Sequence, residues 1–481
     1  MYLIFDTETT GLPRDYNALI TDSDNWPRMV QLAWQLHDAA GALVDVQNFI
    51  VQPEGYTIPF NAAKVHKITT ERAQAEGVPL AFVLGKLNEV LEKTTHLAGH
   101  NIGFDISVVG AEFHRKGIST RLMELAAVDT KDESTDFCAL PGGKGGKFKW
   151  PTLTELHQKL FGEAFAEAHN AAADVEATAR CFLELVRLEV IAPQSVGLDA
   201  AGIAAFKAAN PAPIALIGLD TQPYKALATE TAAAETESTT TGSSSSPQTA
   251  VKGFVHLHCH TQFSMLPGTS EVEDLVAHAK ESGAMAVAMT DHGNLYGAFA
   301  FVNAAFKAGV KPIIGAELYL CRDMADRTNK DNGYGLVVLA KNKNGYQNLV
   351  KLTSQSFLDG YYYVPRIDKK LLLQYKDDLI VLTGGLNGEV PSLLLNVGDT
   401  QAEEAFLWYK EHFGADFYVE LQRHGLEEEN HVNEILLSWA HKHGVKYLAT
   451  NNTDYNRAVD SDTHDTLLCI NDSELKSTPI G

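Results

Sequence analysis

The 481-residue sequence has no apolar run near the roughly 18 residues a membrane span needs, so no membrane segment is expected and a cytoplasmic location is. Its opening, MYLIFDTETT, places an acid inside the first apolar stretch and offers no basic leader, so no signal peptide is expected either. Cysteine is scarce: Cys138, Cys181, Cys259, Cys321 and Cys469 are odd in number and form no C-x-x-C pair. That argues against a disulfide framework or a multi-cysteine zinc site and predicts free thiols. Positive charge is short as well, since 39 Lys and Arg face 61 Asp and Glu for a net charge of −22. This balance disfavours a protein that coats a polyanion by charge alone. It leaves room for acidic sites whose positive charge comes from bound divalent ions.

One break in composition divides the chain. Residues 225–252, KALATETAAAETESTTTGSSSSPQTAVK, are nearly devoid of large apolar side chains and predict a flexible tether. Before it, apolar strands at 2–5 and 30–36 are followed by helical patterns at 153–161 and 171–189. This predicts an α/β domain over residues 1–190 and a connecting segment over 191–253. After the break, strand patterns at 254–258, 285–290, 312–319, 335–340, 379–383, 417–421 and 446–450 alternate with amphipathic helices such as 271–281, 402–412 and 429–441. Repeated β-then-α units over 254–481 suggest a parallel sheet, closed into a barrel.

Three short motifs carry the chemistry of the first part. Asp6-Thr7-Glu8-Thr9-Thr10-Gly11 ends the first strand, and residues two apart on a strand share a face, so both carboxylates project together. Two such charges side by side are costly unless a cation lies between them. In Gly99-His100-Asn101-Ile102-Gly103-Phe104-Asp105, Asp105 lies at a strand-to-helix junction and alone reads equally as a helix cap. In His169-Asn170-Ala171-Ala172-Ala173-Asp174, His169 alone reads as a surface histidine. Together, in this order and with the H-x4-D spacing, the motifs resemble the histidine subtype of the DEDD exonucleases, as found in the proofreading nucleases of bacterial DNA polymerase III. His66-Lys67-Ile68-Thr69 is similar to a further short segment of that family.

The resemblance implies an RNase H-like fold and 3′→5′ hydrolysis of the terminal DNA phosphodiester with two Mg²⁺ or Mn²⁺ ions. It implies that Asp6 bridges both ions, that Glu8 and Asp174 complete one site, that Asp105 holds the second ion through water, and that His169 is the general base. It places the terminal nucleotide near Thr9, Thr10 and Leu12, with His66 and Asn101 as further substrate contacts. Separately, Lys144-Gly-Gly-Lys147-Phe148-Lys149-Trp150 interleaves cations with aromatics and reads equally as a single-strand contact or a solvated loop.

In the second part, Phe254-Val-His256-Leu-His258-Cys-His260 places His256 and His258 on one strand face, as paired metal ligands would be. Asp291 and His292, Glu317, and His424 follow at or near later strand ends, where an α/β barrel builds its site. With MTDHGNLYG at 289–297, GYQNLVKL at 345–352 and VPRID at 364–368, the stretch resembles the PHP domain of bacterial polymerase III α subunits. That resemblance implies a distorted (β/α) barrel. Members with a working site carry three metals, but Pro267, Gly335, Gly385 and Asn452-Thr453-Asp454 stand at ligand positions here. The expectation is a vestigial site with its metals absent or partial, and a PHP domain retained as scaffold. The alternatives are a surviving metal-dependent phosphoesterase and a purely structural or interaction module. The expected partners are a DNA 3′ end, a polymerase region beyond residue 481 of the same protein, a sliding clamp and other replisome subunits.

Overall fold

A computed structural model describes residues 1–143, 147–163, 165, 170–217, 222–224, 254–473 and 475–476. The expected tether at 225–252, together with His169 and Lys144, lies outside the described residues. The chain forms two compact units, one built on Met1–Glu235 and one on Thr236–Leu395 and Asp399–Gly481. Among the described residues no helix is long and apolar enough to cross a membrane.

The first unit is organised on five strands: β1 (Tyr2–Thr9), β2 (Met29–His37), β3 (Leu43–Ile50), β4 (His96–Gly99) and β5 (Ala126–Asp129). Their order across the sheet is β3-β2-β1-β4-β5. The β1–β2 and β2–β3 pairs are antiparallel, while β4 and β5 continue the sheet in parallel with β1. This is the RNase H-like arrangement the motifs imply.

Strand alternation sorts β1 into two faces. Leu3 and Phe5 enter a core with Val83, Leu84, Leu87 and Val108, beneath the helices Leu80–Leu91 and Ile102–Lys116. Tyr2 and Ile4 enter the opposite core with Val175, Phe182 and Val186 of the helix Ala171–Arg187. The Leu80–Leu91 helix buries Leu80, Val83, Leu84, Leu87 and Leu91, spaced three or four apart. Each such side chain contributes about 1.5–3 kcal/mol of burial. That spacing gives the helix one continuous apolar stripe. Helix Ile102–Lys116 is also tied at its far end, where fully buried Glu112 meets Arg28 at 2.9 Å and Arg115 at 3.1 Å and accepts the Met29 N–H. Past residue 190, helix Ala200–Ala209 packs onto the same unit through buried Phe206.

The second unit holds β6 (Ala286–Met289), β7 (Lys311–Leu320), β8 (Tyr334–Ala340), β9 (Tyr361–Tyr362), β10 (Val364–Ile367), β11 (Leu379–Leu382), β12 (Phe417–Leu421) and β13 (Lys446–Ala449). The sheet is mixed, not parallel throughout: β8 runs antiparallel to both β7 and β11. Residues 321–333, between β7 and β8, contain no helix. Without a crossover the chain returns as an antiparallel neighbour. Residues 254–258 are extended but form no ladder strand. Instead the His256 carbonyl accepts the Ala288 N–H and the Cys259 carbonyl the Thr290 N–H on one side, while His258 and His260 exchange bonds with Thr453 on the other. It thereby joins β6 to the chain leaving β13 and curls the sheet toward closure.

Candidate active site and a second polar cluster

The alternation that sorts the core also sorts the acids at the end of β1. Asp6 and Glu8 continue the Tyr2–Ile4 face, where Asp174, in the first turn of helix Ala171–Arg187, meets them. Donor oxygens of Asp6, Glu8 and Asp174 all lie within 4.8 Å of one another. The helix start is fixed by Asn170, whose side chain accepts the Ala172 N–H. Asp105 arrives from the other face, in the first turn of helix Ile102–Lys116. Its Oδ1 accepts two bonds from Thr7, from the backbone N–H at 2.9 Å and the hydroxyl at 2.7 Å.

Burial pushes the Glu8 carboxyl up to about 8, with Asp174 and Asp105 adding to the rise. Asp6 is raised strongly by burial, then by Asp105, Asp174 and Glu8. Burial raises Asp105 to about 7 against the pull of the Thr7 donors. Carboxyls so crowded and desolvated are the donor set a hard divalent cation satisfies.

In the second unit a cluster forms around Glu317, on β7. His258 meets Glu317 at 3.0 Å through Nε2 and Glu420 at 2.7 Å through Nδ1. His260 meets Glu317 at 2.8 Å through Nε2 and Asp454 at 2.9 Å through Nδ1. His292 stacks on His260 with ring centroids 4.0 Å apart and approaches Glu317 at 3.4 Å. Burial draws His258 down, but the Glu420 and Glu317 carboxylates outweigh it and hold the imidazole at about 10. Burial and the charge of His260 push His292 down to about 4. A side chain at Gly335 would collide with the Glu317 carboxylate, and one at Gly385 with the Gln422 amide. The space beside each glycine is therefore filled by a neighbouring side chain.

Residues 3–182 match the family model described as Exonuclease, and residues 256–424 match that of the PHP domain. The chain joins an exonuclease domain to a PHP domain. It is 42% identical over 228 residues to DNA polymerase III subunit alpha of Borreliella burgdorferi, covering 47% of this chain and 20% of that protein. The subunit alpha of Thermus aquaticus is also 42% identical, over 233 residues, covering 47% of this chain and 19% of that one. The chain thus spans about a fifth of the length of these relatives. Among solved structures, Escherichia coli Exonuclease I in complex with a dA16 oligonucleotide is similar at 20% identity and a TM-score of 0.31, covering 40% of this chain and 41% of that one.

In the exonuclease domain the structure brings together Asp6, Glu8 and Asp174, with Asp105 beside them. Leu12 is 74% exposed. The Thr9 hydroxyl donates to the Gly11 carbonyl, and Thr10 Oγ1 accepts the Arg28 N–H. Buried His66 accepts the Ile68 N–H on Nδ1, and Asn101 caps helix Ile102–Lys116 with φ 71°.

In the PHP domain the structure brings together part of the expected set. His258, His292 and Glu317 converge, while His256 lines a cavity with Cys259 and His278. The partner of His258 is His260, two residues further on. Asp291 is not in the cluster, because its carboxylate accepts the Thr261 N–H, the Thr261 hydroxyl and the Ser264 hydroxyl. Nor is His424, which is engaged by Glu429 and the Asn451 carbonyl. The residues missed in sequence were Thr7, His260, Glu420 and Asp454. His260 left a signal there, as the third member of the H-x-H-x-H run, and so did Asp454, in the stretch that stands at a ligand position.

Proposed function

We propose that the exonuclease domain is a 3′→5′ proofreading nuclease of a replicative DNA polymerase, and that the PHP domain is a catalytically inactive scaffold. The convergence of Asp6, Glu8 and Asp174 within 4.8 Å supports the first half. Two Mg²⁺ or Mn²⁺ ions, when bound, supply the charge that activates a water and stabilises the departing oxygen. Asp6, Glu8, Asp174 and Asp105 would hold them, with Asp105 oriented by Thr7. His169, next to the helix cap Asn170, is assigned the proton of the attacking water, a role that an imidazole of ordinary pKa near 6.5 suits at neutral pH. Thr9, Thr10, Leu12, His66 and Asn101 are assigned to the terminal nucleotide, and the products would be 5′-mononucleotides. The subunit alpha relatives support a polymerase region as partner; a sliding clamp, other replisome subunits and a cytoplasmic location belong to the same proposal.

Substituting Asp6 or Asp105 by Ala should reduce Mg²⁺-dependent digestion of single-stranded DNA to background. Undiminished digestion by the Asp6→Ala protein would overturn the assignment. A second reading, in which the PHP domain keeps a metal-dependent phosphoesterase, draws on the donors of His258, His260 and Glu317, which also lie within 4.8 Å of one another. It needs an imidazole nitrogen to leave its carboxylate partner, and Gly335 and Gly385 offer no side-chain donor.

A further inference from the structure

An exposed tryptophan stands beside the exonuclease acids on a fixed backbone. Trp150 is 65% exposed, although a ring of its size is ordinarily mostly buried. It is not loosely held. Its neighbour Pro151 presents a carbonyl to His100 Nε2 at 3.0 Å, and Lys149 donates its N–H to the Leu140 carbonyl at 2.9 Å. Thr152 and Glu155 then close a capping box that starts helix Leu153–Phe161. The ammonium of Lys131 lies 4.9 Å from the centre of the Trp150 ring and also donates to the Asn101 side chain.

These ties locate the ring. Asn101 lies two residues past the end of β4, and its N–H donates to Asp129 at the end of β5, at 2.9 Å. In register, Ile4 of β1 lies beside Ala98 of β4, and Ala98 beside Val128 of β5. The acids at the end of β1 and Lys131, two residues past β5, therefore leave the same edge of the sheet, and Lys131 ties Trp150 to that edge. At about 4.8 Å between strands, β1 and β5 are roughly 10 Å apart. Lys147 and Phe148, just before the ring in sequence, are exposed as well.

We propose that Trp150 and Lys131 form a shelf on which a base of the single strand upstream of the cleaved bond stacks, with Lys131 taking a backbone phosphate. The inference rests on the exonuclease reading above. Any base offers a ring face, so the shelf grips single strands without reading sequence. With Lys131 over one face of the indole, the opposite face is available to the base.

The test uses the full chain and two substrates, a long oligothymidylate and thymidine 5′-(p-nitrophenyl phosphate), a one-nucleotide ester too short to reach the shelf. In Trp150→Ala, KM for the oligothymidylate should rise roughly 5-fold or more, the lower end of base stacking on an aromatic ring. Turnover of the ester should not change, and Trp150→Phe should recover most of the loss. Lys131→Ala should raise KM less, with the difference fading as salt is added. Equal loss on both substrates, or an unchanged KM for the oligothymidylate, would overturn the shelf. If the wild-type chain cleaves neither substrate, the exonuclease reading itself fails. Fluorescence titration with oligothymidylate then still decides: weaker binding by Trp150→Ala supports the shelf, and equal binding overturns it.

Discussion

At the scale of single residues, the site depends on how Asp105 is held. The spacing of Asp6 and Glu8 on a strand was legible in sequence, because alternation alone puts them on one face. Asp105 was legible as an acid, but its anchor was not, since Thr7 lies 98 residues away in the chain. Thr7→Val keeps the shape and the backbone donor while removing the hydroxyl. A hydrogen bond to a charged group contributes about 1.5–3 kcal/mol. Thr7→Val should therefore lower the Mg²⁺-dependent turnover roughly 10-fold or more, with little change in melting temperature. Turnover equal to wild type would show that the hydroxyl does not position Asp105. The misplaced histidine pair has a different origin. His256, His258 and His260 have the same parity, so periodicity cannot say which two reach the level of Glu317. Depth along the segment decides it, and depth is set by the bonds of His256 to Ala288 and of Cys259 to Thr290.

At the scale of elements, the helices Leu153–Phe161 and Ala171–Arg187 were legible because each carries one apolar stripe. The short pair β9 and β10 was missed, having only two and four residues to show a pattern. The direction of β8 was also hidden, because it depends on what connects two strands and not on either strand. Glu112 shows what orders an element once it forms. With no exposed side-chain surface, it binds Arg28 and Arg115, which remain 24% and 15% exposed. Glu112→Ala would leave both guanidinium groups without their carboxylate. It should destabilise the domain by about 3 kcal/mol, read as a shift in the urea midpoint. Glu112→Gln should cost less, since it still accepts the Met29 N–H. An unchanged midpoint for Glu112→Ala would refute the anchoring role.

At the scale of the whole chain, the two domains should respond differently to loss of metal. The exonuclease acids repel one another without a cation, whereas the PHP imidazoles already have carboxylate partners. A chelator applied to the full chain should therefore abolish DNA digestion and leave the melting of the PHP domain unchanged. Metal analysis before chelation should find no ion that survives dialysis in the PHP domain. Two or three tightly held ions there, with melting lowered by the chelator, would favour the phosphoesterase reading instead. The composition break that suggested two domains was plain in sequence, because a segment without large apolar residues cannot enter a core. The packing of Phe206 was not, since helix Ala200–Ala209 follows a stretch with no motif of its own.

The filled space at Gly335 has a consequence for the cluster beside it. A side chain introduced at 335 would meet the Glu317 carboxylate, which His258 and His260 already hold. Any residue larger than glycine there needs Glu317 to swing aside and loosen both imidazoles in the same step. The glycine thus works as a latch that lets the cluster close on itself.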